Sequence, residues 1–392
     1  MILLSLASKQ IWPQVRTVAQ VKPARLVLLH SGDAAESRDP AQRLKRFFDN
    51  CGLVPKGGTR LELISDSDFS TIERQLDALQ VKHQLDLNQC LLNFTGGNKL
   101  MATAAFRWAA KRGVKAFYLE RRSQITWFEP RDGEVLTRAE PLDGHLTDEV
   151  DPVSLLRCQC EASEVERPGQ RLTLNAAGKQ VELAGFERLH LAGNCLRRFL
   201  QVEGQADRDE KEGDALEFNV AAVLLKLGVP SVQRSLRLKV RSADNVPTRK
   251  PHAEIDLLFN FDGRLWLVDC KDRRSSDELM DGLERELCPA MSGLRQEARL
   301  LLDRVRKELA ISQTKVLKED LIAVREGGGL LGQVVCIRKA NLDEEVVQYA
   351  NKNQIEVVSK TELGSRLQSL LYPNRRAAPD DLRSLVNVFG KK

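Results

Sequence analysis

Cysteine and aromatic residues are scarce: eight Cys, four Trp and three Tyr are spread over 392 residues. Cysteine at that density cannot staple so long a chain, so a disulfide scaffold is excluded and a reducing, cytoplasmic compartment is expected. Cys158-x-Cys160 is the one close pair, and no second Cys or His pair stands at ligand spacing around it, which argues against structural zinc. Aromatics at 5% are too few for a broad base-stacking platform. No apolar run approaches the roughly 18 residues of a membrane span. The opening MILLSLASKQIWP lacks a basic leader and a secretory apolar stretch, and reads as a first strand. An excess of one charge is also missing. Sixty Lys and Arg against 55 Asp and Glu leave +5, so any nucleic-acid site must be local.

What is present is a foldable composition, 42% hydrophobic and 29% charged. At roughly 150 residues per domain it suggests two or three domains. The first 130 residues or so alternate short apolar runs (Ile2 to Ser5, Arg25 to His30, Leu61 to Ser65, Cys90 to Phe94, Lys115 to Leu119) with stretches of helical spacing (Asp39 to Asn50, Asp68 to Lys82, Asn98 to Lys111). Strands alternating with helices predict a mostly parallel, doubly wound sheet. From Pro141 to Arg208 the periodicity blurs into a connector, with a short hairpin at Arg171 to Leu183 and a helix near Leu189 to Val202. An acidic run, Gln205 to Asp214, precedes an apolar helix, Ala215 to Leu227. A second α/β domain follows, with strands Ser235 to Val240, Ala253 to Phe259, Arg264 to Lys271, Leu321 to Val324, Val334 to Ile337 and Ile355 to Ser359. Its helices are read at Leu279 to Leu309, Asp343 to Asn351 and Glu362 to Leu371. There is no internal repeat and no low-complexity tract.

Within that second domain, Asp262-Gly263 between two apolar runs is the preferred two-residue hairpin turn. It sets Asp256 opposite Asp269 and Glu254 opposite Lys271, all four on one face. Opposed carboxylates repel unless something neutralises them. A divalent cation, Mg²⁺ or Mn²⁺, does so when Asp256 and Asp269 supply hard oxygen ligands and the Cys270 carbonyl another. Lys271 can then orient or deprotonate a water, or stabilise developing charge on phosphorus. WLVDCK is too apolar for an exposed edge strand, so these charges belong to a buried site rather than a solvated face. Asp256 and Asp269-x-Lys271, preceded by helical Glu217 in GDALEFNVAAVLLKLG, resemble the PD-(D/E)XK nuclease signature. The resemblance implies a restriction-endonuclease-like domain in which Glu217, Asp256, Asp269 and Lys271 are catalytic and the three acids hold metal. The sequence departs from the pattern in having Ile255, not Pro, before the first acid. Glu254 either shares the metal or pairs with Lys271, and pairing is the preferred reading. Arg249-Lys250 and Arg273-Arg274 flank the site and can guide a phosphate backbone. His252 is read as structural and Gly327-Gly328-Gly329 as a strand connection.

In the first domain a strand runs into Thr95-Gly96-Gly97-Asn98-Lys99 and then a helix. This arrangement brings backbone N–H groups and a helix N-terminus to an anion. Taken alone, it equally reads as a structural turn with Asn98 as N-cap. It is neither a dinucleotide fingerprint nor a P-loop. NFTGGNKLM after a strand in a Rossmann-like half resembles the ligand loop of CARF domains. Together with the nuclease half, the chain resembles CARF–PD-(D/E)XK effectors of type III CRISPR systems. The resemblance implies a cyclic oligoadenylate activator, foremost cyclic tetra-adenylate, a homodimer with the ring on its two-fold axis, and a DNA or RNA substrate, with no membrane partner. It assigns Thr95, Gly96, Gly97, Asn98, Lys99 and Met101 to the ligand site, rimmed by Ser5, Ser31 and Gly32. The expected organisation is a Rossmann-like CARF domain at 1–140, a connector at 141–208, the nuclease domain at 209–375 and a tail at 376–392. Two other readings compete: a CARF-type regulator without catalysis, and a restriction or repair nuclease without a regulator. The first needs a DNA-reading helix-turn-helix that the connector does not display, and the second leaves TGGNK unexplained.

Overall fold

The computed structural model describes residues 1–120, 124–159, 163–204, 214–240, 252–271, 300–305, 307–308, 311, 315, 318–319, 321, 324–325, 332–338 and 344–373. The chain divides into two compact units, Met1–Glu161 with Asn260–Arg264, and Ala162–Phe259 with Leu265–Lys392. No helix among the described residues is long and apolar enough to cross a membrane.

The first unit is built on β1 (Ile2–Leu6), β2 (Arg25–His30), β3 (Thr59–Leu63), β4 (Cys90–Asn93) and β5 (Lys115–Leu119). These strands are parallel, in the order β3-β2-β1-β4-β5. β1 is buried at every position, as a strand with both faces covered must be. Its residues Ile2, Leu4 and Leu6 join Ile72 and Leu76 of α3 (Phe69–Lys82) and Ala104, Ala105 and Trp108 of α4 (Lys99–Lys111) in one core. Local chemistry sets the helix starts. Asp68 caps α3 by accepting the Thr71 N–H, and Asn98 caps α4 by accepting that of Met101, each satisfying a donor that the first turn leaves open. Strand order reverses between β1 and β4, so their carboxyl ends open the crevice where such sheets bind ligands. An antiparallel ribbon unread in the sequence, β6 (Gln124–Arg131) and β7 (Glu134–Pro141), extends the sheet beyond β5.

The second unit's sheet runs β10-β9-β11-β12-β13-β14-β15, with β8 also on β11. Its strands are β8 (Ser163–Arg167), β9 (Gln170–Leu174), β10 (Leu200–Glu203), β11 (Val232–Val240), β12 (His252–Phe261), β13 (Arg264–Lys271), β14 (Gly332–Arg338) and β15 (Ile355–Ser359). β13, β14 and β15 are parallel, whereas β11 pairs antiparallel with β8, β9 and β12. A helix at Asp214–Lys226 is buried at Asp214 and continuously from Leu216 to Leu225, as its all-round apolar sequence requires. Asp262 and Gly263 alone separate β12 from β13, with φ of 50° and 64°. These are the two positive values of a type I′ turn, so the two-residue loop stands and fixes the register.

Three sequence expectations change. The hairpin at Arg171 to Leu183 is instead β9 followed by a helix, Ala176–Gln180, because Asn175 ends the strand by capping the helix onto Gly178. The helix near Leu189 to Val202 is instead the end of a helix at Leu183–Leu191, a short 3₁₀ turn and β10. Gly193, at φ 81°, breaks it. Residues 321, 324 and 325 are helical rather than a strand. Leu321 and Val324 are both buried, and a short apolar run does not by its periodicity distinguish strand from buried helix. Of the expected helix at 279–309, residues 279–299 lie outside the described residues, as do 205–213 of the acidic run, Gly327–Gly329 and the tail.

Gly263→Ala places a side chain at positive φ in the turn that sets the register. Denaturant unfolding should show a loss of about 1–2 kcal/mol, and an unchanged midpoint would contradict the type I′ assignment.

Candidate functional site

The loop after β4 is organised from beneath by Asn93, which is fully buried. Its amide donates to Ser5 Oγ and Thr17 Oγ1, both at 3.1 Å. Its carbonyl oxygen accepts the Thr95 N–H at 3.0 Å and the Thr95 hydroxyl at 2.7 Å. Thr95 Oγ1 in turn accepts the Leu119 N–H at 2.8 Å. Gly96 leaves no room for a Cβ, which would stand 2.0 Å from the Leu6 carbonyl oxygen and 2.7 Å from Gln14 Nε2. Gln14 donates to that same carbonyl at 2.9 Å.

The expected ligand residues therefore separate by role. Ser5 and Met101 are buried, the first on Asn93 and the second in the core, so neither presents a side chain to solvent. Ser31 is also buried, its hydroxyl accepting the Asp33 N–H at 3.3 Å. Thr95 shapes the turn with its hydroxyl. Gly32, Asn98 and Lys99 are exposed, and Asn98 reaches across with its amide to the Asp66 carbonyl at 2.9 Å. Gly96 to Lys99 can thus offer an anion backbone N–H groups at the start of α4 and the Lys99 charge.

In the second unit, the register brings Asp256, Asp269 and Lys271 together. The Lys271 amine lies 2.8 Å from Asp269 Oδ1 and 3.8 Å from Asp256 Oδ2. Asp256 also accepts the Cys270 N–H at 2.6 Å. Both acids are buried, at 6% and 1% exposure. Burial first, and the Asp269 charge second, push the Asp256 carboxyl well above the usual range, while Lys271 pulls it back. Glu217 approaches closely enough for its charge to act on Asp256. Its Oε2, however, accepts from Arg234 Nε at 2.7 Å. Burial raises Glu217 to about 7, against the pull of Arg234 and with the push of Asp214. Glu254 is exposed on β12.

The donors suit a hard cation. The two carboxylates are hard oxygen donors, and Mg²⁺ or Mn²⁺ takes one or two carboxylates while keeping several waters. Burial, and the charge of Asp269 beside it, raise Asp256 despite Lys271, and a divalent cation would relieve that repulsion. Among the described residues no group of three or more His, Cys, Asp or Glu is arranged to hold an ion, so the fit is a two-carboxylate one with Glu217 turned to Arg234. Sequence reasoning missed Arg234 and Arg338. Both are buried, and Arg338 donates to Asp269 Oδ2 at 2.8 Å. Arg249, Lys250, Arg273 and Arg274 lie outside the described residues, and the His252 side chain is not described.

Two outcomes test this geometry. Gly96→Ala must displace a backbone carbonyl, so thermal unfolding should show a loss of about 2 kcal/mol or more, localised to the first unit by hydrogen exchange. In chelator, Asp256 has a folded pKa above its unfolded one, so it takes up a proton on folding and its contribution to stability falls as pH rises between the two. Asp256→Asn, which does not titrate, should gain on the wild type through that window by up to about 1.4 kcal/mol per pH unit. Below the usual carboxylate range the difference should stop changing with pH. A pH-independent difference would remove the buried-acid assignment.

Residues 2–134 match the family model described as the Card1 CARF domain. No curated protein matches the chain. Among solved structures the chain resembles Can2 from Sulfobacillus thermosulfidooxidans in complex with cyclic tetra-adenylate, with a TM-score of 0.54 and 16% identity over 93% of this chain and 95% of that one. It also resembles protein VC1899 from Vibrio cholerae, with a TM-score of 0.56 and 13% identity over 94% and 97%. At such identities the likeness is one of fold. The match to the family model joins the strand order and the turn at Thr95 to Lys99 in one conclusion: residues 2–134 form a domain similar to the Card1 CARF domain.

Proposed function

We propose that the chain is a divalent-metal-dependent nuclease of type III CRISPR defence, switched on by a cyclic oligoadenylate at its CARF domain. The observation that carries the reading is the meeting of Asp256, Asp269 and Lys271 within ion-pair distance, in the unit that follows a CARF domain. The resemblance to the PD-(D/E)XK signature and the fold shared with Can2, described in complex with cyclic tetra-adenylate, support the same assignment and favour that ring as activator. A homodimer with the ring on its two-fold axis would present the Thr95 to Lys99 loop twice to a repeating ligand. The substrate is the phosphodiester backbone of DNA or RNA.

Asp256 and Asp269 would hold Mg²⁺ or Mn²⁺, with the Cys270 carbonyl beside them. When bound, the cation supplies Lewis acidity to a phosphoryl oxygen and acidity to a water. The remaining work belongs to the chain. The Cys270 N–H fixes one oxygen of Asp256. Lys271, 2.8 Å from Asp269 Oδ1, would orient the attacking water or meet the charge growing on the phosphate through its amine. Glu217, held through one oxygen by Arg234, acts as a secondary acid. At the sensor, Asn98 and Lys99 contact the activator directly, while Ser5, Thr95 and Met101 contribute by shaping its loop.

The test is cleavage of single- and double-stranded DNA and RNA, with and without cyclic tetra-adenylate and Mn²⁺. Asp269→Asn and Lys271→Ala should each lower the saturated rate at least about a hundredfold and leave the activator midpoint in place. Lys99→Ala and Asn98→Ala should raise the midpoint about tenfold, the worth of one charge-assisted hydrogen bond, with the saturated rate unchanged. Wild-type cleavage by Asp269→Asn would remove the metal assignment. A Lys99→Ala variant with an unmoved midpoint and a lowered saturated rate would remove the sensor assignment.

A further inference from the structure

Arg338 closes β14, level with Lys271 in the parallel register, while Cys336 is level with Asp269. Its Nη2 donates to Asp269 Oδ2 at 2.8 Å, and Lys271 holds the other oxygen, Oδ1, at the same distance. Two cations therefore flank one carboxylate. Arg338 is only 4% exposed, yet its Nε and Nη1 have no hydrogen-bond partner among the described residues. A guanidinium carries five N–H donors, and a buried donor without an acceptor costs roughly 1–3 kcal/mol. The neighbouring Cys336 thiol lies close enough for Arg338 to pull its pKa down, yet burial still pushes it up to about 12, so it is at most a weak, uncharged acceptor for them.

Arg234 provides the contrast. It is as deeply buried, but its Nε, Nη1 and Nη2 meet Glu217, Gln170 and Asp214 at 2.7, 2.8 and 3.1 Å. One arginine beside the acids is complete and the other is not. Both oxygens of Asp269 are already engaged, so the acceptor that completes Arg338 comes from elsewhere. It is best an anion, because guanidinium donors bond most strongly to carboxylate and phosphate oxygens. An anionic substrate approaching two carboxylates also needs a fixed cation to offset their repulsion. Lys271, with its side chain 22% exposed, brings the cluster to solvent on its side, while Asp269 itself is buried.

We infer that Arg338 is a substrate-binding residue of the carboxylate site, which takes a non-bridging oxygen of a phosphodiester through the donors that Asp269 leaves free. The inference rests on the nuclease reading and adds to it a contact with the substrate. Its test measures binding of short DNA and RNA oligonucleotides carrying either ordinary phosphodiester or neutral methylphosphonate linkages. The full chain is used with cyclic tetra-adenylate and with Ca²⁺ as the divalent ion, and Ca²⁺ binding is read separately by calorimetry. Arg338→Gln should weaken the phosphodiester probe on the order of tenfold to a hundredfold. Arg338→Lys should weaken it less; neither should alter the methylphosphonate probe, and neither should weaken Ca²⁺ binding, which loss of the positive charge beside Asp269 favours. Equal losses on both probes, a loss confined to Ca²⁺ binding, or no loss at all would overturn the inference while wild-type binding leaves the nuclease reading standing. A wild-type chain that binds no phosphodiester probe would overturn both. If Arg338→Gln does not fold, Arg338→Lys carries the comparison.

Discussion

Two carboxylates side by side in a buried place repel, and the charged groups around Asp256 and Asp269 are arranged in answer to that repulsion. Lys271 spans the pair, Arg338 takes the far oxygen of Asp269, and the Cys270 N–H takes one oxygen of Asp256. Arg234 draws Glu217 and Asp214 into a set of their own. Removing a partner from such a cluster leaves an uncompensated buried charge, which is costlier than never having built the pair. The chain thus holds a buried acid pair against fixed cations of its own. Burial and the Asp269 charge nonetheless keep the Asp256 carboxyl above its usual range.

The N-terminal domain meets a gentler constraint. Its turn at Thr95 to Lys99 carries one charged side chain, Lys99, and is built by shaping backbone. Asn93 gathers Ser5, Thr17 and Thr95 beneath the turn, and the absence of a Cβ at Gly96 lets the loop lie against the Leu6 carbonyl. Ser5 and Thr95, which the sequence reading assigns to a ligand, thereby act as scaffold of the loop, while Asn98 and Lys99 are its exposed side chains.

Much of this was legible in the sequence for identifiable reasons. The parallel strands declare themselves as apolar runs because helices cover both faces. The acid pair is legible because a two-residue turn converts sequence separation into register, so Asp256 and Asp269 can be placed by counting outward from Asp262-Gly263. The ribbon of β6 and β7 carries the same signal at Asp132-Gly133, with positive φ at both. β7, however, is exposed at nearly every position, and without a buried face the flanking alternation fades. Arg234 and Arg338 were not legible. Arg234 reaches Glu217 and Asp214 from β11, and Arg338 reaches Asp269 from β14, which is parallel to β13 and far from it in sequence. Neither strand offers a tight turn from which to count.

The turn at Asp262-Gly263 has a consequence for how this hairpin can vary. Side chains on a strand alternate between faces, so the meeting of Asp256 with Asp269 depends on parity as well as on distance. A register slip by a single residue would turn one acid to the opposite side of the sheet while leaving every apolar character in the sequence intact. Lengthening the loop by one residue is therefore a graver change than replacing most residues within it, unless a bulge absorbs the extra residue. The length of this short connection, more than its composition, is the heritable quantity that holds the acid pair together.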